Sequence, residues 1–267
     1  MKKKIPAKII RKIFKDIDKS INHMSKRFSA DDIHEFRLQV KELRALLRML
    51  SGDPGCMRKI KLPGRIKYMY RVSGYLRDLD LFRRIVKYYF TAGQIPKNYL
   101  NLLNKKKDEY AREFKKAINN KQFSGSAKKI SGKLPAILQQ DIASFFYDEK
   151  IESIRRIIKG NTISDEEIHS IRKYIKDILY IKKLLSIYTD SDISISKYKR
   201  FTEGEQLAFK LGQINDLSTT IAFLEPPRLG KIPSHEITRL ASLRQQCFNN
   251  KESLRLSVHK KLSELYL

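Results

Sequence analysis

The segment Ile33-His34-Glu35-Phe36-Arg37-Leu38-Gln39-Val40-Lys41-Glu42-Leu43 returns 135 residues later as Ile168-His169-Ser170-Ile171-Arg172-Lys173-Tyr174-Ile175-Lys176-Asp177-Ile178. In a chain of 267 residues an offset of about half the length points to a duplicated unit, each copy carrying one His-x-x-Arg-x-x-x-Lys helix. The expected domains are residues 1–133 and 134–267, packed together. Phe123-Ser124-Gly125-Ser126, followed by Ser131-Gly132 and Pro135, is the most loop-like stretch of the middle and holds the expected join.

Apolar spacing supplies helices around both copies. Ile5, Ile9, Ile13, Ile17 and Ile21 recur every four residues and predict an amphipathic helix to about Phe28. Asp31 and Asp32 are candidate caps for the first repeat helix, which runs to about Leu50 before Gly52-Asp53-Pro54-Gly55. Helical patterning resumes near Met57 and continues to about Phe90, with distortions expected at Pro63-Gly64 and Ser73-Gly74. Further helices are predicted from Leu100 to Ile118, from Ile137 to Ile158, from Tyr198 to Leu224 and from Ser234 to Ser257. Ser164-Asp165-Glu166-Glu167 has capping-box form ahead of the second repeat helix. No strand signal competes, so the expected class is all-α.

At 100° per residue, His34, Arg37, Lys41, Arg44 and Arg48 fall within an arc of about 80° along roughly 21 Å of helix. Phe36, Val40, Leu43, Leu47 and Leu50 occupy a largely opposite sector, so one helix can anchor in a core and present a basic ridge. The second copy places His169, Arg172, Lys176 and Lys183 at corresponding angles, with Leu179 where Arg44 stands in the first. Like charges at i,i+3 and i,i+4 repel by a few tenths of a kcal/mol per pair, which an aligned anion would offset. Arg offers a fork to phosphate oxygens, Lys a mobile charge, and His a donor that charges below about pH 6.5. The chain carries 56 Lys+Arg against 29 Asp+Glu, a net +27, and this excess calls for a polyanionic partner. Residues 1–133 hold 35 of those cations and 12 of the acids, so the first half is expected to dominate capture.

A second element follows each repeat helix: Gly74-Tyr75-Leu76-Arg77-Asp78-Leu79 and Gly212-Gln213-Ile214-Asn215-Asp216-Leu217. Asp78 and Asp216 are candidates to hold a ridge cation in position, and Gly74 and Gly212 to permit close helix approach; a local ion pair and a helix irregularity are the plainer alternatives. Arg58, Lys61 and Arg65 share one helical face and are expected to extend the basic surface. Cys56 and Cys247 have no metal-type spacing and suit a reduced compartment. The lysines that interrupt the first apolar stretch exclude a secretion signal, and no window reaches the roughly 20 apolar residues of a spanning helix.

The duplicated His-x-x-Arg-x-x-x-Lys helix, each copy followed by Gly-x-x-[Arg/Asn]-Asp-Leu, resembles the CHAD family, the conserved histidine α-helical domain. The resemblance implies two four-helix bundles related by pseudo-twofold symmetry, with basic residues lining a central pore or cleft. It also implies binding of inorganic polyphosphate without catalysis by the domain. The family's basic positions fall on His34, Arg37, Lys41 and Arg44, and on His169, Arg172 and Lys176; Leu179 departs from the pattern. No cofactor, metal or membrane span is expected, and the expected location is the cytoplasm, with association to polyphosphate granules open. Two alternatives stand: a nucleic-acid-binding helical module, which the charge favours but no motif supports, and a phosphohydrolase or phosphotransferase using His34.

Overall fold

The computed structural model describes residues 4–26, 28–56, 59–118, 123–135, 141–160, 163–188 and 202–266. Along the chain run α1 (Lys4–Lys26), α2 (Ala30–Leu50), α3 (Gly64–Tyr89), α4 (Lys97–Ala117) and α5 (Ser124–Gly132). They are followed by α6 (Ile142–Ile158), α7 (Asp165–Tyr188), α8 (Thr202–Phe223), α9 (Pro226–Leu229) and α10 (Ser234–Tyr266). Among the described residues there is no strand, and the class is all-α. No helix of the described residues is long and apolar enough to cross a membrane.

The isoleucine stripe of α1 is the reason that helix forms where it does: Ile9, Ile10 and Ile17 are fully buried, and Ile13, Phe14, Ile21 and Met24 lie with them. Ser29, not Asp31 or Asp32, caps α2. Its hydroxyl accepts from the Asp32 N–H at 3.1 Å and donates to the Asp32 carboxylate at 2.6 Å, leaving both aspartates in the first turn, where the helix dipole favours negative charge. The capping box before α7 forms reciprocally: the Glu167 N–H donates to Ser164 Oγ (3.2 Å) and the Ser164 N–H to Glu167 Oε2 (2.7 Å).

Two segments depart from the periodicity. The helix expected from Met57 begins only at Gly64, because Pro63 disfavours helical backbone at Leu62 and supplies no N–H of its own; α3 then passes through Ser73-Gly74 without interruption. Conversely, the loop-like Ser124-Gly125-Ser126 lies in a helix. Asp18 of α1 accepts the Phe123 N–H at 3.1 Å, and Ala127 and Ile130 are buried against the same core as α1, so tertiary contact overrides weak local propensity.

Helices α1, α2, α3 and α4 each pack on the next, and α6, α7, α8 and α10 do the same; α2–α7 and α3–α8 contacts join the two series. The cores do not divide at residue 133. One cluster carries Ile178, Ile181, Leu184 and Leu185 of α7 into the core of α1 and α2, and another joins Leu79, Phe82 and Tyr99 to Leu224, Leu240 and Cys247. Glu236 of α10, 3% exposed, accepts the Asn98 and Tyr99 N–H groups at 3.1 and 3.0 Å, capping α4 from the far end of the chain.

Candidate anion-binding site

The repeat helices α2 and α7 cross antiparallel, with the late residues of each meeting the middle of the other. The Arg48 guanidinium donates to both carboxylate oxygens of Asp177, one contact being Nε to Oδ2 at 2.8 Å, and Lys183 Nζ donates to Glu42 Oε1 at 2.8 Å. Glu42 and Asp177 are 135 residues apart, as are Arg48 and Lys183, so the two bridges are reciprocal. Two cations expected to face a ligand, Arg48 and Lys183, are thereby engaged in holding the helices together. The sequence signal for this is the acid that directly follows each repeated lysine.

Between these helices and α3 lies a cavity of about 140 Å³, room for several waters. Lys41, Arg44 and Arg48 line it from α2, Arg172, Lys173 and Lys176 from α7, and Tyr70 and Tyr180 supply its aromatic walls. Lys41 is the most perturbed of these. Burial lowers its pKa to about 7, and Arg37, Arg172, Arg77 and Lys176 all push in the same direction. Among the described residues no carboxylate lies within ion-pair distance of Lys41. Lys176 is lowered by burial and by Arg172, with Glu205 opposing. The Arg44 guanidinium sits 5.3 Å over the Tyr70 ring.

Arg37 is fixed rather than free. Its Nη1 donates to the Tyr70 carbonyl at 2.7 Å and to Ser73 Oγ at 3.3 Å, and its guanidinium lies 4.4 Å over the Tyr70 ring. Gly74 makes this possible: a Cβ there would stand 3.0 Å from Arg37 Nη1. Gly212 plays the matching part more loosely, with an added Cβ 3.7 Å from Arg172 Nε. Among the described residues, Nε of both Arg37 and Arg172 is buried without a hydrogen-bond partner. Asp78 and Asp216 flank Arg77 where α3 meets α8, at 3.4 and 3.6 Å, and the Asp78 carboxyl is raised chiefly by burial despite its neighbours Arg77 and Arg37.

The remaining expected residues fall elsewhere. His34 is exposed and outside the cavity lining, whereas His169 lines it, with Nδ1 3.3 Å from Asn215 Oδ1. Both histidines are exposed, and Arg77 occupies in the first motif the position of Asn215 in the second. Arg58 lies outside the described residues. Lys61 precedes α3, and Arg65 turns away to donate to the Ala117 carbonyl at 3.2 Å with its guanidinium 4.6 Å over Phe123, so the shared helical face expected of this trio is not formed. Helical angle alone missed Lys173, Arg77, Tyr70 and Tyr180. Among the described residues no group of three or more His, Cys, Asp or Glu side chains is placed to hold a metal ion.

The glycine asymmetry makes a prediction. Gly212→Ala should raise the thermal midpoint, since Ala exceeds Gly by up to about 1 kcal/mol inside a helix and the added methyl fits. Gly74→Ala should lose that gain, because the Arg37 guanidinium must shift and strain its hydrogen bonds to Tyr70 and Ser73. Equal midpoint shifts in thermal denaturation would refute the contrast.

The CHAD domain family matches this chain over residues 8–225. No curated protein matches. The crystal structure of the CHAD domain from the plant Ricinus communis is similar at TM-score 0.66 and 14% identity, covering 96% of this chain and 91% of that one. PptA from Streptomyces chartreusis is similar at TM-score 0.65 and 12% identity, covering 98% and 99%. At such identities these structures establish a common fold.

Proposed function

The chain belongs to the CHAD domain family, and from that premise we propose that it binds inorganic polyphosphate, without turning it over, in the cavity between α2, α3 and α7. The observation that carries this reading is Lys41: a half-buried amine with Arg37, Arg172, Arg77 and Lys176 around it and no carboxylate partner among the described residues. Such a cluster opposes folding unless an anion enters it. A linear chain of phosphates suits the arrangement, because its oxygens can meet Arg172, Lys176, Lys41 and Arg44 in succession. Released counterions add to the affinity, which falls as salt rises.

The alternatives fit less well. A cavity of about 140 Å³ is too small to admit a nucleic-acid duplex and offers Tyr70 to Arg37 and Arg44 rather than to a base. The hydrolytic alternative relies on His34, which is exposed and does not line the cavity.

Calorimetric titration with polyphosphate should give saturable binding that weakens with NaCl. Arg172→Gln with Lys176→Gln should weaken it on the order of 100-fold, as expected for two charge-assisted contacts. No saturable binding by the wild-type chain, or equal binding by the double variant, would overturn the proposal. Preferential capture of DNA or RNA in competition would favour the nucleic-acid reading. Phosphate release in the presence of Mg²⁺, lost on His34→Ala, would favour the enzymatic one.

A further inference from the structure

Leu179 occupies the second-copy position equivalent to Arg44, and it is partly buried against the cluster that contains Ile171, Ile175 and Leu211. It is not among the cavity's lining residues. An anion running from Lys41 and Lys176 toward Arg44 would therefore find no repeated cation on the α7 side. Lys173 lies on the other side of Lys176 from Leu179, one turn earlier on α7, and faces the cavity. It lines the cavity beside Lys176 and one turn before Asp177, and its counterpart in the first copy is Leu38, so the repeat does not mark it.

We propose that Lys173 is a phosphate-binding residue of this cavity and supplies on the second repeat helix the cation that Leu179 lacks. The inference rests on the polyphosphate reading above. The surroundings of Lys173 support a ligand role over a purely structural one. The nearest acid, Asp177, is already held through both oxygens by Arg48. Lys173 is an exposed side chain, and among the described residues it makes no ion pair; Arg48, Arg44 and Lys150 disfavour its charge, as does partial desolvation, against Asp177 alone. A phosphate between Lys173 and Arg44 would relieve two repelling cations at once. It would also extend the anion past Lys41 and Lys176, so the second copy's share of binding shifts along α7 from the motif position to Lys173, on the far side of Lys176.

The test is titration of the full chain with polyphosphate over a series of NaCl concentrations. Lys173→Gln should bind about tenfold more weakly, the loss of one charge-assisted contact, and its plot of log affinity against log salt should be shallower by about one. Lys173→Arg should restore both. Lys182→Gln, about 180° around the same helix, should match the wild type. Binding by Lys173→Gln equal to wild type would overturn the inference and leave the polyphosphate reading standing. Weaker binding with an unchanged salt slope and a lowered thermal midpoint would also overturn it, assigning Lys173 to support of Asp177. No binding by the wild-type chain would remove the polyphosphate reading itself, and this inference with it.

Discussion

Arg48→Ala should destabilise the protein by about 3 kcal/mol at neutral pH, measured by urea unfolding, as expected when one partner of a buried ion pair is removed. The Asp177 side chain is only 3% exposed against 27% for Arg48, so truncation leaves a buried carboxylate with Lys173 and Lys150 as its nearest cations and no direct replacement for the guanidinium fork. The reciprocal bridge behaves differently despite its equivalent position. Lys183 is 57% exposed, so water and salt already screen its ammonium, and Lys183→Ala should cost less than Arg48→Ala even though Glu42 is itself largely buried. Burial already raises the Asp177 carboxyl, with Arg48 opposing. Without Arg48 its folded pKa rises further above the unfolded value, so the folded state binds the extra proton and the variant's deficit should shrink as pH falls toward the carboxylate range. A double-mutant cycle with Asp177→Asn separates the pair from its surroundings. A coupling energy near zero, or equal losses for Arg48→Ala and Lys183→Ala, would contradict this account.

These bridges also mark the limit of what the sequence discloses. The repeated segment is legible because apolar residues at helical spacing fix which face of α2 and α7 is buried. The division of labour among the cations on the other face is not, since Arg48 and Arg44 share one angular sector. Only the antiparallel crossing of α2 on α7 decides that Arg48 meets a carboxylate, and only the packing of α2 on α3 that Arg44 meets the Tyr70 ring. The acids that decide it, Glu42 and Asp177, were in the repeat and are buried at 11% and 3% side-chain exposure. Pro63 shows a second limit. Arg58, Lys61 and Arg65 share an angle only on an unbroken helix, and one missing N–H with its restricted neighbour is enough to end it. The role of Gly74, by contrast, could be anticipated as close approach, though not its partner: the Arg37 guanidinium against α3 is a contact across 37 residues that no local pattern encodes.

Lys41→Met should stabilise the ligand-free protein while removing about tenfold or more of its polyphosphate affinity. Lys41 titrates at about 7 in the folded chain and at about 10.5 unfolded. The unfolded state therefore binds more protons between those values, and stability conferred at this site rises with pH through that window. Below pH 7 the site opposes folding by on the order of 5 kcal/mol, from the separation of the two pKa values at about 1.4 kcal/mol per unit. Methionine, of similar length and without charge, removes that opposition. The groups around Lys41 set the sign for the ligand as well: Arg37 on its own helix, Arg77 on α3, and Arg172 and Lys176 on α7 all favour its neutral form. A phosphate chain reverses the balance, drawing the ammonium pKa back up, so binding near neutral pH should take up part of a proton. Affinity should then fall as pH rises above about 7, approaching tenfold per pH unit once Lys41 is neutral in the free protein. Calorimetry in buffers of different ionisation enthalpy measures the uptake directly, and Lys41→Met should abolish it. Affinity independent of pH from 6 to about 9 in the wild type, or a Lys41→Met chain less stable than wild type at pH 7, would show that Lys41 is neither the desolvated amine nor the proton acceptor of this site.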